Sequence, residues 1–238
     1  MKFSSPLKEA ILISRYKRFL ADVRLPDGST MTLHCPNTGS MLHCAEPGSR
    51  VWYSHSSNAG RHYPCTWELV EVDHRFKVGI NTGNANILVA ETLKQRHIDI
   101  LTDYTIVRRE VTYGRENSRI DFLLEGSPQS HVPPCYLEVK SVTLGLENGI
   151  GAFPDALTLR GQKHLRELKE IRHRGARAVL FFCVQHEGID RVRPADDIDP
   201  VYGRLLREAV EAGVEVMAMR ARISLTEMSL SDPLPVLL

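Results

Sequence analysis

Asp121, Glu138 and Lys140 have the residue types and spacing of a site that holds a divalent cation against a phosphate. In Tyr136-Leu137-Glu138-Val139-Lys140, read as a strand, residues i and i+2 share a face, so Glu138 and Lys140 point together while Leu137 and Val139 turn to the buried side. Asp121 lies 17 residues before Glu138 in a second apolar run, Ile120-Asp121-Phe122-Leu123-Leu124, and a Gly/Ser/Pro loop joins the two runs. Antiparallel pairing of these runs predicts that Asp121 sits beside Glu138. Two adjacent carboxylates repel, and at least one pKa rises unless a cation or the Lys140 ammonium neutralises them. Oxygen-only ligands select a hard cation, Mg²⁺ or Mn²⁺, over zinc. The expected ligands are Asp121, one oxygen of Glu138 and the backbone carbonyl of Val139, with Lys140 polarising the attacking water. A Glu-x-Lys on the polar face of a strand is common; Asp121 on the preceding strand is what points to phosphodiester hydrolysis.

Further candidates cluster around this triplet. A third acid is expected from the helix preceding the sheet, where Glu91 is the first choice and Glu110, on the first strand, the alternative. Arg160-Gly161-Gln162-Lys163-His164 opens the helix after the site strand, where free backbone N–H groups favour a phosphate. Arg160, Lys163 and His164 are expected to contact nucleic acid, and Gly161 to let the helix approach the sheet. Arg119 alternates away from Asp121, as a DNA contact or a structural ion pair. Near the start of the chain, Arg15, Lys17 and Arg18 on a first strand, with Trp52 as the stacking surface, suit sequence-tolerant nucleic-acid binding. Trp67, inside an apolar strand, reads as core. The turn Asn37-Thr38-Gly39-Ser40 reads as a phosphate nest or as ordinary turn chemistry. His43, His55, His62 and His74 show no ligand spacing.

The elements that must position these groups fall into two parts, 1–83 and 84–238. The first shows strands at period two, through Phe19 to Leu25, Met31 to Cys35, Val51 and Tyr53, Trp67 and Leu69, and Phe76 to Ile80. The turns between them include Pro26-Asp27-Gly28, Pro47-Gly48 and Asn58-Ala59-Gly60. Five short strands with no bare edges make an OB-like barrel the economical fold. After Gly83 the period changes: Asn84 is expected to cap a helix to about Arg96, followed by strands at 105–111, 119–124 and 136–142. Asp155 and Thr158 then cap a helix that Gly175 closes, Ala178 to Val184 forms a strand covered on both faces, and a helix from Pro200 stops at Gly213 before a last strand. The order αβββαβαβ predicts a three-layer α/β domain.

Composition agrees without deciding the matter. The 238 residues are 42% hydrophobic and 25% charged, which suits a soluble globular protein. No apolar run is long enough to span a bilayer and Met1 to Pro6 lacks a signal-peptide core, so a cytoplasmic address is expected. Five widely spaced cysteines without a Cys-x-x-Cys pair read as reduced thiols, not as disulfides or a zinc site. The net charge of +1 divides into +3 for residues 1–83 and −2 for the remainder. This is the sense expected of a binder joined to an acidic metal site. An exposed strand near Pro233-Leu234-Pro235 would pair across a homodimer or wrap its own domain.

The order of the second part, with Asp121 and Glu138-Val139-Lys140 on successive strands, resembles the PD-(D/E)xK nuclease superfamily and its αβββαβ restriction-endonuclease-like core. Four segments resemble the sugar fermentation stimulation protein family (SfsA) more closely. They are His34-Cys35-Pro36-Asn37-Thr38-Gly39-Ser40-Met41, Ser118-Arg119-Ile120-Asp121-Phe122, Glu138-Val139-Lys140-Ser141-Val142-Thr143-Leu144, and Phe153-Pro154-Asp155-Ala156 continuing through Arg160-Gly161-Gln162-Lys163-His164-Leu165. The proline of the nuclease motif is replaced by Ile120. The resemblance implies an N-terminal OB-like domain, a nuclease-like domain and DNA binding, DNA ahead of RNA, with a role in regulating sugar metabolism. Two functions follow as expectations: a Mg²⁺- or Mn²⁺-dependent nuclease, or a DNA-binding regulator that keeps the scaffold and does not cut.

Overall fold

The computed structural model describes residues 1–58, 60–114 and 118–238; Ala59 of the expected Asn58-Ala59-Gly60 turn lies outside them. The N-terminal part is a closed, OB-like five-stranded barrel. Its strands are β1 (Lys8–Tyr16), β2 (Leu20–Arg24), β3 (Thr30–His34), β4 (Arg50–His55) and β5 (Cys65–Val72), and β6 (Phe76–Gly79) adds on to β5. Closure comes from a parallel pairing of β3 with β5 at His34 and Thr66. The runs with period two began at Phe19; β1, the strand that carries Arg15, shows none because its burial is irregular and interrupted by a register shift between Leu12 and Ser14. Lys17 and Arg18 lie in the β1–β2 turn with φ of 49° and 63°, so of the three basic residues placed on a first strand only Arg15 belongs to one.

The second part is a mixed six-stranded sheet, ordered β15-β14-β12-β9-β8-β7, between two helical layers. Its strands are β7 (Tyr104–Tyr113), β8 (Ser118–Gly126), β9 (Cys135–Val142), β12 (Arg177–Val184), β14 (Glu215–Ile223) and β15 (Met228–Leu234). Helix α1 (Gly83–Lys94) packs on one face, with Leu88 and Val89 against Phe122, Leu137 and Val139. Helices α2 (Leu159–His173) and α3 (Pro200–Glu211) cover the other, with Leu165, Leu168 and Leu206 against Ile120, Leu180 and Phe182. Strand β12 is buried along nearly its whole length because both layers reach it. A small sheet of β10 (Leu144–Gly145), β11 (Ile150–Phe153) and β13 (Arg191–Pro194) lies outside the expected order; its strands are too short to show a period. The Pro233-Leu234-Pro235 segment is taken up at the edge of the chain's own sheet, where β15 pairs with β14.

Two buried acids set the helices in place. Glu68 of β5 accepts hydrogen bonds from Ser54 Oγ (2.8 Å), Asn81 Nδ2 (2.9 Å) and Asn84 Nδ2 (3.2 Å), which ties the start of α1 to the barrel. Asn84 is therefore an anchor inside the helix, and Thr82 takes the N-cap position. Asp199, 1% exposed, caps α3 through the Tyr202 N–H and accepts from the Thr158 N–H and Gln162 Nε2. It thus fixes the first turn of α2, which Thr158 caps by accepting from the Gly161 N–H. A Cβ on Gly161 would meet Thr158 and the Tyr202 ring at 3.2 Å, so this glycine admits α3 and not the sheet.

Trp52 is 3% exposed and belongs to a core that joins Leu7 and Leu69 to Leu88, Phe122 and Val139. The second part of the chain covers the outer face of β4, and the alternation that marked Trp52 as a stacking surface fails for that reason. Trp52→Ala is expected to cost about 3–5 kcal/mol in denaturant unfolding. An unchanged unfolding midpoint would return Trp52 to a surface role.

Candidate functional site: an acid pair where two strands part

Strands β8 and β9 pair as Leu124 with Cys135, Leu123 with Tyr136 and Phe122 with Leu137, and the ladder stops there. The next position holds Asp121 opposite Glu138. Because β9 has left β8 at that point, the Val139 N–H donates to Asp121 Oδ2 (2.8 Å) instead of to a strand carbonyl. Asn86 Nδ2, from α1, donates to Asp121 Oδ1 (2.8 Å). On β7, opposite Asp121, Glu110 has a φ of 54°, a left-handed strain that L residues adopt rarely.

Glu138 is 2% exposed and held from two elements. Lys140 Nζ donates to its Oε1 at 2.8 Å, and His164 Nδ1, from α2, makes a very short contact with the same oxygen. Arg160 Nε donates to His164 Nε2 at 3.4 Å. Lys140 Nζ also lies 3.0 Å from His164 Nδ1, so the ammonium, the imidazole and the Glu138 carboxylate form one compact cluster. The other oxygen, Glu138 Oε2, is buried with no hydrogen-bond partner among the described residues. Burying an ionised oxygen without a donor is costly, so the chemistry of this position suits a cation or a water as its partner.

The two acids are shifted in opposite directions. Burial would push Glu138 up, but the Lys140 ammonium and the His164 hydrogen bond outweigh it and hold the carboxyl below its ordinary range. Burial and then the Glu138 charge raise Asp121, and its bonds from Val139 and Asn86 offset this only in part. This separation is the pattern of two carboxyls given different tasks. The residues fit a hard divalent cation: Glu138 Oε2 lacks a partner, each Asp121 oxygen keeps a lone pair, and the Val139 carbonyl is adjacent. Among the described residues no group of three or more His, Cys, Asp or Glu side chains could hold a metal, so solvent or substrate oxygens would complete the shell.

These groups line a cleft of about 370 Å³ between the barrel and the α/β domain. Asn86, Asp121, Glu138, Lys140, Ser141, Arg160 and His164 of the α/β domain line it together with Asn37, Thr38 and Gly39 of the barrel, which form its barrel-side wall. The remaining expected residues lie elsewhere. Glu91 accepts from the Met1 amino group at 2.5 Å, away from the cleft, so α1 brings Asn86 and not an acid to Asp121. Glu110 pairs with Arg119 at 3.5 Å on the exposed side of the hairpin. Lys163 is half-buried on α2 and does not line the cleft. Arg15 Nη2 donates to the carbonyls of Asn37, Gly39 and Arg18, and Arg18 Nε to that of Thr38, so both arginines hold a loop.

Comparison with known proteins agrees with this geometry. Residues 13–80 match the family described as SfsA N-terminal OB domain, and residues 83–227 match the sugar fermentation stimulation protein RE domain. The chain belongs to the SfsA family. It is 55% identical over 232 residues to a sugar fermentation stimulation protein homolog of Shewanella baltica (strain OS185), covering 98% of this chain and 97% of the relative. The homolog of Shewanella sp. (strain MR-4) is 55% identical over 236 residues, 99% of each chain. The structure of Pyrococcus furiosus SfsA in complex with Ca²⁺ superposes with a TM-score of 0.88 at 28% identity, covering 100% of this chain and 98% of the other. In this SfsA-family chain the conspicuous acids were readable, whereas Asn86 and Thr82 are ordinary polar residues with no sequence signal of their own, and Asp155, expected to cap α2, instead accepts from Ser40 Oγ and the Met41 N–H while Thr158 caps the helix.

The raised carboxyl of Asp121 has a measurable consequence. Its folded state holds a proton more tightly than the ordinary value of 3.8 allows, so metal-free stability falls as pH rises from 3.8 through the folded value. A cation held by the acid pair would relieve that loss, and the stability gained from added Mn²⁺ would then grow with pH through the same window, reaching about 2.7 kcal/mol at 100 Kd. Calorimetry of Asp121→Asn should show no Mn²⁺-dependent gain at any pH.

Proposed function

We propose that this cleft hydrolyses phosphodiester bonds of nucleic acid, DNA ahead of RNA, with Mg²⁺ or Mn²⁺ at Asp121, Glu138 Oε2 and the Val139 carbonyl. The observation that carries the reading is the unpartnered buried oxygen of Glu138, set beside Asp121 where the strands part and next to Lys140. The cation, when bound, supplies Lewis-acid charge stabilisation and favours ionisation of water at neutral pH. That the related Pyrococcus furiosus protein is a complex with Ca²⁺, also an oxygen-seeking cation, supports the choice of metal class.

The protein's own groups divide the remaining work. Lys140 places positive charge where the phosphate oxygens gather negative charge as the water oxygen bonds to phosphorus and the bond to the leaving sugar oxygen breaks. One water proton passes to solvent and the leaving oxygen takes one up, so the products are a phosphomonoester and a free hydroxyl. His164 fixes the Glu138 carboxylate, and Arg160 fixes His164 while presenting its guanidinium to the entering phosphate. Asn86 holds Asp121 in register without adding a charge.

One feature favours the second reading, a DNA-binding regulator of sugar metabolism that does not cut. Both Asp121 oxygens already accept an N–H, so the acid is stably placed without a metal. Incubation of end-labelled DNA with Mg²⁺, Mn²⁺ or EDTA separates the two. In the nuclease reading, Asp121→Ala and Glu138→Gln lower metal-dependent cutting by at least about 10³-fold, as losses of charge stabilisation do, and DNA retention is kept. Lys140→Ala also leaves Glu138 buried without its ammonium and is expected to cost a further 3–5 kcal/mol or so of stability. DNA retained but uncut in every lane would establish the binding reading.

A further inference from the structure

The barrel loop that walls the cleft is strapped down along its whole length. Thr82 Oγ1, at the start of α1, donates to the Pro36 carbonyl at 3.0 Å. Ser40 Oγ donates to the Asp155 carbonyl at 2.6 Å and to Asp155 Oδ2 at 3.0 Å, and the Met41 N–H donates to the same Oδ2 at 3.0 Å. Cys44 Sγ reaches the Thr143 carbonyl at 3.5 Å, and His43 Nδ1 contacts that of Gly145 at 3.2 Å. The loop is thus fastened to α1, to the end of β9 and to the segment before α2, three elements that surround the acid pair.

The opposite side of the loop is occupied as well. Arg15 and Arg18 between them take the carbonyls of Asn37, Thr38, Gly39 and Ser40, at 2.8 to 3.4 Å. The two guanidinium groups satisfy these four carbonyl oxygens and stiffen the wall from behind. Gly39 leaves little slack: a Cβ there would meet Asn37 Oδ1 and Asp155 Oδ2, each at 3.0 Å.

A wall held in this way cannot swing aside for a bulky substrate without breaking several hydrogen bonds together. The space it leaves, about 370 Å³, lies at the small end of ligand pockets, which start near 300 Å³. It accommodates about one nucleotide, whereas a paired duplex can present only a backbone phosphate at the cleft mouth and cannot place a base between the walls. We infer that the strapped loop makes this a single-strand site, with one nucleotide of an unpaired strand or end drawn between Asn37–Gly39 and Arg160. The inference rests on the phosphodiesterase reading and adds the class of substrate.

The test uses the full chain and four labelled DNAs: a single strand, a blunt duplex, and duplexes with 3′ or 5′ single-stranded overhangs, each with Mn²⁺ and with EDTA. Single strands and overhangs should be cut at least about tenfold faster than the blunt duplex, a difference of about 1.4 kcal/mol. Ser40→Ala and Asp155→Asn, which loosen the strap and leave the acid pair intact, should narrow that ratio at least threefold while the Mn²⁺-dependent gain in Tm persists. Internal cutting of the blunt duplex at the single-strand rate would overturn the inference and leave the phosphodiesterase reading standing. If no DNA is cut, the phosphodiesterase reading fails, and anisotropy with Asp121→Asn protein decides the strap. Tenfold tighter binding of the single strand supports it; equal or tighter duplex binding overturns it.

Discussion

Everything chemical in this protein depends on the place where β9 leaves β8. A sheet that continued past Phe122 and Leu137 would use the Val139 N–H in its ladder. Parting the strands frees that N–H, which Asp121 accepts, and opens space for a carboxylate, an ammonium and an imidazole behind it. The exposed edge accommodates the disturbance: β7 carries Glu110 in a left-handed conformation directly opposite Asp121. On its other side β9 keeps an unbroken parallel register with β12 from Cys135 to Val142. The acid pair therefore stands on a rigid strand at one side and a relaxed one at the other.

Burying Glu138 is expensive, and the surrounding fold answers that cost locally. An isolated carboxylate at that depth would neutralise by taking up a proton. Lys140 and His164 prevent it, and each arrives by a different route: Lys140 by strand alternation, His164 because Asp199 and Thr158 fix the first turn of α2. Only one Glu138 oxygen is answered in this way. The arrangement holds the Glu138 carboxyl below its ordinary range and leaves its second oxygen facing no donor among the described residues, while burial and the Glu138 charge raise the carboxyl of Asp121.

How much of this was legible follows from which interactions are local. Asp121, Glu138 and Lys140 were readable because strand alternation converts spacing into facing. His164 was readable as a candidate from its helix position, though its partner was not. Glu91 was misread because an acid on α1 was sought by type; the turn of α1 that faces Asp121 carries Asn86, and Glu91 lies further along, by the amino terminus. Trp52 was misread because exposure was judged from the barrel alone, while its outer face is covered by the second domain. Arg15 and Arg18 looked like phosphate contacts since a basic residue in a turn has no sequence mark that tells a loop carbonyl from a phosphate as its partner. The short strands β10, β11 and β13 carry too few residues for any period to register.

The fate of Arg15 and Arg18 changes what the barrel contributes. An OB-like barrel joined to an acidic cleft suggests a division of labour in which one part grips and the other cuts. Here the barrel's Arg15 and Arg18 are spent on carbonyls of its own loop, and Trp52 is core. The barrel instead supplies Asn37, Thr38 and Gly39 as one wall of the site, and Glu68 as the anchor of the helix that carries Asn86. Removing it would take away both a wall and the fixed origin of α1. The site therefore belongs to neither domain singly, and its geometry is set by contacts that no motif within either sequence segment records.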